Sequence, residues 1–446
     1  MNPRKLNQLI FITLLAAISY KLPLFLDLTK GQRINLVIFL VAALLWITEV
    51  VPLFVTALII LFLEAVWLKP NAPGTSLSTY LSPFFSSVIL LFLGGFVLAK
   101  ALETYKLDEI FAKKILQRTG TKPSSVLFGF MLVTAFLSMW MSNTAITALM
   151  IAVALPLVRK IDDKNFTKAL LIGIAFSANI GGMGTPIGTP PNAIAMEALK
   201  SQGVQLSFTR WLILALPLTL LLLLVTWGIL SIFFRSKAQK IEIKFEEQPV
   251  IETKGKVVLI TSLVTALLWL TAEVHKIPSS IVALIPIIVY FSSGILERKH
   301  FNSLSWDVLI LMGGGLSLGK AFGVTGLSKW LVHSIGFKYM SQYAVLAVLV
   351  IITIVLTNFM SNTSTAALVI PLALSLEANP VAFAMCIALS ASASMLLPVS
   401  TPPNAIAYSS GMLSVKDMFM TGLVITTLMG ILILTFQYFW VHLIGM

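Results

Sequence analysis

One cysteine and four histidines in 446 residues leave little material for redox or metal chemistry. Cys386 alone excludes an internal disulfide framework and a cysteine-built metal site, and reads as a small apolar core residue. The histidines, His275, His300, His333 and His442, fall at the ends of apolar stretches or in the loops between them and form no ligand cluster. Charge is equally scarce: 11% of residues are Asp, Glu, Lys or Arg, against 58% hydrophobic. That balance cannot clothe a soluble domain in polar surface, so the chain is read as an integral membrane protein. Acidic residues are the scarcer sign, 18 against 31 basic, for a net charge of +13. The basic residues lie in short loops between apolar runs, where orientation in a membrane accounts for them, and no nucleic-acid partner is expected.

What is present is a series of apolar runs. In a bilayer every backbone polar group must be satisfied internally, which leaves helices or a closed barrel. Runs such as Leu212–Phe234 suit helices crossing roughly 30 Å of hydrocarbon, and they lack the alternation of barrel strands. The expected spans are Leu6–Leu26, Ile34–Val51, Leu53–Leu68, Phe84–Leu102, Leu170–Gly182, Trp211–Phe234, Val257–Glu273, Ser279–Ser293, Val308–Phe322, Val381–Leu397 and Met418–Ile444, about 11 in all. Leu6–Leu26 has no convincing small-residue cleavage site and is read as a retained helix rather than a signal peptide.

Two words recur in the same order. Met-Ser-Asn-Thr stands at Met141–Thr144 and Met360–Thr363; Thr-Pro-Pro-Asn-Ala-Ile-Ala stands at Thr189–Ala195 and Thr401–Ala407. Weaker echoes extend the match. Trp46 to Pro52 resembles Trp269 to Pro278, and Gly94-Gly95 with Lys100-Ala101 matches Gly314-Gly315 with Lys320-Ala321. The chain therefore divides into an N-terminal helix outside the repeat (1–33), a first repeat (34–234), a charged cytoplasmic linker (235–256) and a second repeat (257–446).

The apolar stretches Ser125–Leu157 and Tyr343–Leu376 each carry a Ser-Asn-Thr break at the middle. Each is either two crossing helices or a re-entrant hairpin. The hairpin reading, with a cytoplasmic N-terminus, places the larger share of Lys and Arg inside and is preferred. Each repeat then holds five spans and one hairpin. An odd number inverts the second copy, which is the plan of secondary transporters. Lys106–Arg118 and Thr325–Phe337 read as amphipathic surface helices.

Glycine and proline at Gly181–Pro191 cannot continue a helix, so that span unwinds near mid-bilayer. Thr189 is placed as an N-cap and Pro190 as the first residue of a restarted helix; Pro398-Val399-Ser400 and Thr401-Pro402 repeat the pattern without glycines. Ser142-Asn143-Thr144 and Ser361-Asn362-Thr363 are expected to cap the returning hairpin arms. Helix starts carry unpaired N–H groups and suit an anion, whereas the ended half-helices offer carbonyl oxygens to a hard cation such as sodium. Ser138 and Thr357 add hydroxyls one turn before the Ser-Asn-Thr words. No Lys, Arg, His, Asp or Glu occurs in Ser138–Thr147, Asn179–Met196, Thr357–Ala367 or Ser392–Ser409, so an anion there would be neutralised by helix ends and co-bound cations.

Blander readings attach to other features. A lone Asn or Pro in a span is usually a packing or kink residue, and duplication of both words in register is what argues otherwise here. Asn362-Thr363-Ser364 spells a glycosylation sequon but lies at membrane depth. Gly314 to Lys320 nearly spells a phosphate loop, but Ala321 replaces the required hydroxyl residue and packing glycines are expected. Glu49 and Glu273 read as structural polar anchors near span ends.

Paired Ser-Asn-Thr words, each followed by a Thr-Pro break, resemble the divalent anion/sodium symporter family of di- and tricarboxylate transporters, over essentially the whole chain. The resemblance implies an elevator mechanism, in which hairpins and broken helices slide against a scaffold that forms a homodimer. By position it implies a first sodium site of Ser138, Ser142, Asn143 and the Gly188 carbonyl, and a second of Thr357, Asn362 and the carbonyls of Met360 and Ser400. Substrate carboxylates would meet Asn143, Thr144, Asn362 and Thr363, flanked by Thr189, Pro190, Thr401 and Pro402. The expected function is sodium-coupled import of succinate, malate or fumarate across a bacterial cytoplasmic membrane. A dicarboxylate or citrate exchanger of the same family is the nearest alternative and an anion channel the more distant one. With no acid, base or metal cluster at membrane depth, the chain is not expected to be an enzyme and needs no organic cofactor.

Overall fold

The computed structural model describes residues 3–21, 27–161, 163–241, 251–327, 330, 340–376 and 379–445. Among these residues every regular element is helical. The first repeat and the segment before it hold α1 (Pro3–Lys21), α2 (Lys30–Thr48), α3 (Leu53–Asn71), α4 (Leu77–Thr104), α5 (Leu107–Leu116) and α6 (Pro123–Ser138). They continue with α7 (Asn143–Lys160), α8 (Lys164–Gly182), α9 (Pro190–Ser201) and α10 (Phe208–Phe233). Beyond the linker come α11 (Thr253–Leu270), α12 (Ser279–Ser292), α13 (Trp306–Thr325), α14 (Gln342–Thr357) and α15 (Asn362–Ala373). The last three are α16 (Pro380–Ala391), α17 (Pro402–Ser409) and α18 (Val415–Leu443).

Local chemistry accounts for many of these boundaries. Thr29 caps α2 in a reciprocal box with Gln32, and Ser414 caps α18 with Asp417. Proline opens α6, α9, α16 and α17, where a missing N–H costs nothing. Two helices are not uniform: α3 loosens into a π-turn at Glu64–Leu68 and α18 into another at Ile433–Gln437.

Among the described residues eight helices, α2, α3, α4, α7, α10, α11, α13 and α18, are long and apolar enough to cross a membrane. Of the 11 expected spans seven are among these. Leu6–Leu26, Leu170–Gly182, Ser279–Ser293 and Val381–Leu397 are not, their described helices α1, α8, α12 and α16 falling short in length or in apolar character, while α7 enters as a hairpin arm. Val381–Leu397 was expected to be one span, but its helix stops at Ala391, six residues short, because the break at Pro398 propagates back as irregular backbone. The arm α7 has the length to cross, so length alone does not separate a re-entrant arm from a crossing one. The surface helix expected at Lys106–Arg118 forms as α5; most of Thr325–Phe337, part of the linker and residues 22–26 lie outside the described residues.

Packing shows a reciprocal exchange between the two halves. α3 of the first repeat packs on α13 of the second, and α12 of the second packs on α4 of the first. The contact points correspond. A Cβ on Gly314 would fall 2.4 Å from the Cβ of Ala57, and one on Gly94 would fall 2.6 Å from that of Ala283. Ala57 and Ala283 each stand five residues after their repeat's proline, Pro52 and Pro278. Glycine is required at both crossings because nothing larger admits so close an approach.

Candidate functional site

The hairpin tips and the helix breaks, far apart in sequence, meet around one cavity of about 860 Å³. Its wall includes Trp140–Thr144 and Phe359–Thr363 from the two tips, with Ile187–Pro190 and Val399–Pro403 from the two breaks. Of the residues singled out in the sequence, Ser142, Asn143, Thr144, Gly188, Thr189, Pro190, Met360, Asn362, Thr363, Ser400, Thr401 and Pro402 all line it. Ser138 and Thr357 do not; both are fully buried behind the tips.

Those two hydroxyls occupy equivalent positions. Ser138 Oγ donates within reach of Asn143 Oδ1 (2.6 Å) and the Ala178 carbonyl (2.8 Å). Thr357 Oγ1 does the same towards Asn362 Oδ1 (2.8 Å) and the Ala391 carbonyl (2.5 Å). Each hydroxyl has one proton for two oxygens, so each locality concentrates oxygen acceptors beyond what its own protons satisfy. Such a surplus suits a hard cation. In the first copy the Asn143 side chain and the Gly188 carbonyl converge: a Cβ on Gly182 would lie 2.8 Å from Asn143 Oδ1 and 3.1 Å from Gly188 O. In the second copy the Ser394 hydroxyl bonds the Thr357 carbonyl at 2.7 Å and lies 3.3 Å from the Ser400 carbonyl.

The breaks are held open by the asparagines of the repeated word. Asn192 Nδ2 donates to the carbonyls of Gly182 (2.9 Å), Met183 (3.3 Å) and Thr185 (2.7 Å). Asn404 Nδ2 likewise donates to the carbonyls of Leu397 (3.1 Å) and Ser394 (3.3 Å). Carbonyls freed where a helix ends must find donors, and a buried amide supplies several at once. Thr185 bonds the Met139 carbonyl and so fastens the first tip to the first break, while Asn179 reaches across the halves to Thr401 Oγ1 at 3.2 Å. Trp140 of the first tip stacks on Phe208, which stacks on Trp269, at centroid separations of 6.0 and 5.1 Å.

Capping differs between the copies. Thr401 accepts from Asn404 N and Ser361 from Ser364 N, as expected. Thr189 and Ser142 sit at the cap positions with extended backbone or close to it, but their side chains make no cap bond. In the first copy, therefore, the N–H groups opening α7 and α9 find no acceptor in these two side chains.

Charge in the cavity is of one sign. Glu49, which ends α2 in a left-handed conformation, and Asp307, in the first turn of α13, line it, and no Lys, Arg or His is found among the described lining residues. The reading of Glu49 as a span-end anchor omitted this exposure to the cavity. Glu273 faces elsewhere, bonded to Arg210 Nε at 3.0 Å and to Ser207 Oγ at 2.9 Å. Sequence reasoning also missed Asn192, Asn404, Thr185 and Ser394; only the recurrence of the Asn within the repeated word signalled any of them.

With this geometry in hand, comparison with known proteins is informative. The citrate transporter family model matches residues 43–379. An "uncharacterized transporter" of Haemophilus influenzae is 37% identical over 431 residues, covering 89% of this chain and 90% of the relative. The sodium-dependent dicarboxylate transporter SdcS of Staphylococcus saprophyticus is 32% identical over 440 residues, covering 88% and 83%, and that of Staphylococcus aureus strain USA300 is likewise 32% identical. The crystal structure of the YdaH transporter of Alcanivorax borkumensis, described as having an unusual topology, superposes with a TM-score of 0.57 at 13% identity, covering 88% of this chain and 98% of that one. This last likeness concerns the fold alone.

Proposed function

The chain belongs to the citrate transporter family, of the divalent anion/sodium symporter type, and from that membership we propose that it imports C4-dicarboxylates (succinate, malate or fumarate) together with sodium. It is a multi-pass membrane carrier for carboxylates and not an enzyme. The observation that carries the finer reading is the cavity itself: both tips and both breaks face it, and no basic side chain among the described residues lines it. A dicarboxylate held there gains its compensation from helix N-termini and from cations bound at the surplus oxygens behind the tips. Asn143, Thr144, Asn362 and Thr363, flanked by Thr189, Pro190, Thr401 and Pro402, meet the carboxylates. Ser138, Ser142, Asn143 and Gly188 hold one sodium; Thr357, Met360, Asn362 and Ser400 hold the other. Sodium coupling then follows electrostatically, because the anion is stable in the site only when the cations are present.

On this reading the two repeats, 34–234 and 257–446, are inverted in the membrane and the N-terminus is cytoplasmic. The tips and breaks move together as an elevator against a dimeric scaffold, in the cytoplasmic membrane of a bacterium. Glu49 and Asp307, at the cavity wall, attract sodium towards the tips.

Reconstitution in liposomes tests the proposal. Labelled succinate is expected to accumulate under an inward sodium gradient with an empty lumen. Uptake that ignores sodium and requires internal dicarboxylate would establish an exchanger instead, uptake of citrate in place of succinate would change the substrate, and channel-like conductance would overturn both carrier readings.

A further inference from the structure

Glu64 lies in the π-turn of α3, fully buried within an otherwise apolar helix. Among the described residues a single side chain reaches it: the Ser317 hydroxyl of α13 bonds one of its oxygens, while Oε1 has no partner among them. Ser317 Oγ also lies 3.1 Å from the Tyr80 carbonyl. The titratable group that interacts with Glu64 is Tyr80, on the first turn of α4 and itself fully buried. Among the described residues, neither Lys69 of α3 nor Lys320 of α13 makes an ion pair with Glu64.

Counting hydrogens decides the arrangement. The Ser317 hydroxyl has one proton and faces two oxygens, Glu64 Oε2 and the Tyr80 carbonyl. If Glu64 were a carboxylate, one of the two would go without, and the charge would sit in an apolar environment with no basic side chain paired to it among the described residues. If Glu64 carries a proton, the chain closes: the carboxyl O–H donates to Ser317, and Ser317 donates to Tyr80. The corresponding position of the other repeat carries a group that is neutral by nature, bonded there to a helix of its own repeat. Tyr290 follows Pro278 by twelve residues, as Glu64 follows Pro52, and its hydroxyl lies 3.0 Å from both Ser262 Oγ and the Val258 carbonyl of α11.

We propose that Glu64 is a protonation site, holding a proton in the folded carrier and using it to tie α3 to α13 through Ser317. Ser317 lies one turn beyond Gly314 and Glu64 two turns beyond Ala57, so this bond secures the same seam as the Ala57–Gly314 crossing. Removing the proton places an uncompensated charge in that seam. The unfolded chain gives up this proton near the ordinary glutamate value of about 4.3, whereas the folded carrier keeps it. Thermal stability therefore declines as pH rises above that value and levels off once the folded carrier loses the proton as well. Transport falls at that second step.

Infrared difference spectroscopy on the purified protein tests the site independently of substrate. The wild type at neutral pH is expected to show a protonated-carboxyl carbonyl band that Glu64→Gln lacks and that Ser317→Ala shifts towards the frequency of an unbonded acid. Glu64→Gln, which keeps an N–H donor, is expected to transport at near wild-type rates and to lose the part of the fall in melting temperature that accompanies rising pH above about 4.3. The absence at neutral pH of a band sensitive to Glu64→Gln overturns the proposal, and so does a pH dependence of the melting temperature that is unchanged in that variant. Should Glu64→Gln fail to fold, the Ser317→Ala shift decides: an unmoved band overturns it.

Discussion

Gly182 and Ser394 stand at the same register of the two copies, each seven residues before the Thr-Pro-Pro-Asn word, yet only the second presents a hydroxyl. The bare position at Gly182 lets Asn143 and the Gly188 carbonyl approach one point, whereas Ser394 Oγ fills the corresponding space and bonds the Thr357 carbonyl. The two copies thus build unlike oxygen shells from the same word.

Gly182→Ala tests the first shell. The added Cβ would stand 2.8 Å from Asn143 Oδ1 and 3.1 Å from the Gly188 carbonyl, so one of them must move. We predict a rise of about tenfold or more in the sodium concentration for half-maximal uptake, equivalent to roughly 1.4 kcal/mol, with the folded carrier still recovered. Sodium dependence identical to the wild type would remove the first cation from this location.

Asn143→Ala and Asn362→Ala are each expected to abolish most uptake, by roughly ten- to a hundredfold if each amide serves a charged partner. Melting temperature should change little, since both side chains line the cavity rather than the core. Full uptake by either variant means that the carboxylates bind elsewhere.

Asn192→Ala should behave in the opposite manner. Its amide is fully buried and serves three carbonyls of the break, so its loss strands acceptors that water cannot reach. A stability loss of about 2 kcal/mol is predicted, read as a lower thermal or denaturant midpoint, together with weaker transport. Unchanged stability would show that the break is held by other contacts.

Asp163, at the head of α8, links that helix to the segment after α10. Burial alone would push its carboxyl up, but bonds from Phe166 N, Ser236 Oγ, Lys237 N and Ala238 N outweigh it and hold the carboxyl down at about 2. The unfolded chain binds this proton more readily, near the usual value of about 3.9. Its stabilisation is therefore fully present above that value and is lost as pH falls through about 2. Asp163→Asn is predicted to cost about 2 kcal/mol at pH 7, with the gap to wild type closing in strong acid. A gap that does not depend on pH would show that the contribution is steric.

Much of the site was legible because it is written twice. The Ser-Asn-Thr and Thr-Pro words located both tips and both breaks, and twelve of the residues named from them line one cavity. What stayed hidden depends on partners remote in sequence. Ser138 meets Ala178, Ser394 meets Thr357 and Asn179 meets Thr401 only after folding, and no local pattern encodes those meetings. Thr189 has the composition of an N-cap but makes no cap bond, showing that residue type fixes position here without fixing the hydrogen bond. Glu64 escaped notice because one carboxyl scarcely lowers the hydropathy of a long apolar helix, Asp307 because loop ends are where charges are expected, and for the same reason Glu49 was read only as a span-end anchor. Val381–Leu397 was drawn too long since Ala-Ser-Ala-Ser is apolar enough to pass for helix.

The crossing of Ala57 with Gly314 sets a timetable for biosynthesis. The ribosome adds 257 residues between them, which at about 5–20 residues per second takes roughly 13 to 50 s. Throughout that interval the flank of α3 that will receive Gly314 has only lipid, translocon or chaperone for company, with a buried glutamate beside it. Early helices must wait in the bilayer as separate, individually inserted rods, and a nascent chain truncated anywhere before α13 presents an unfinished seam to quality-control proteases.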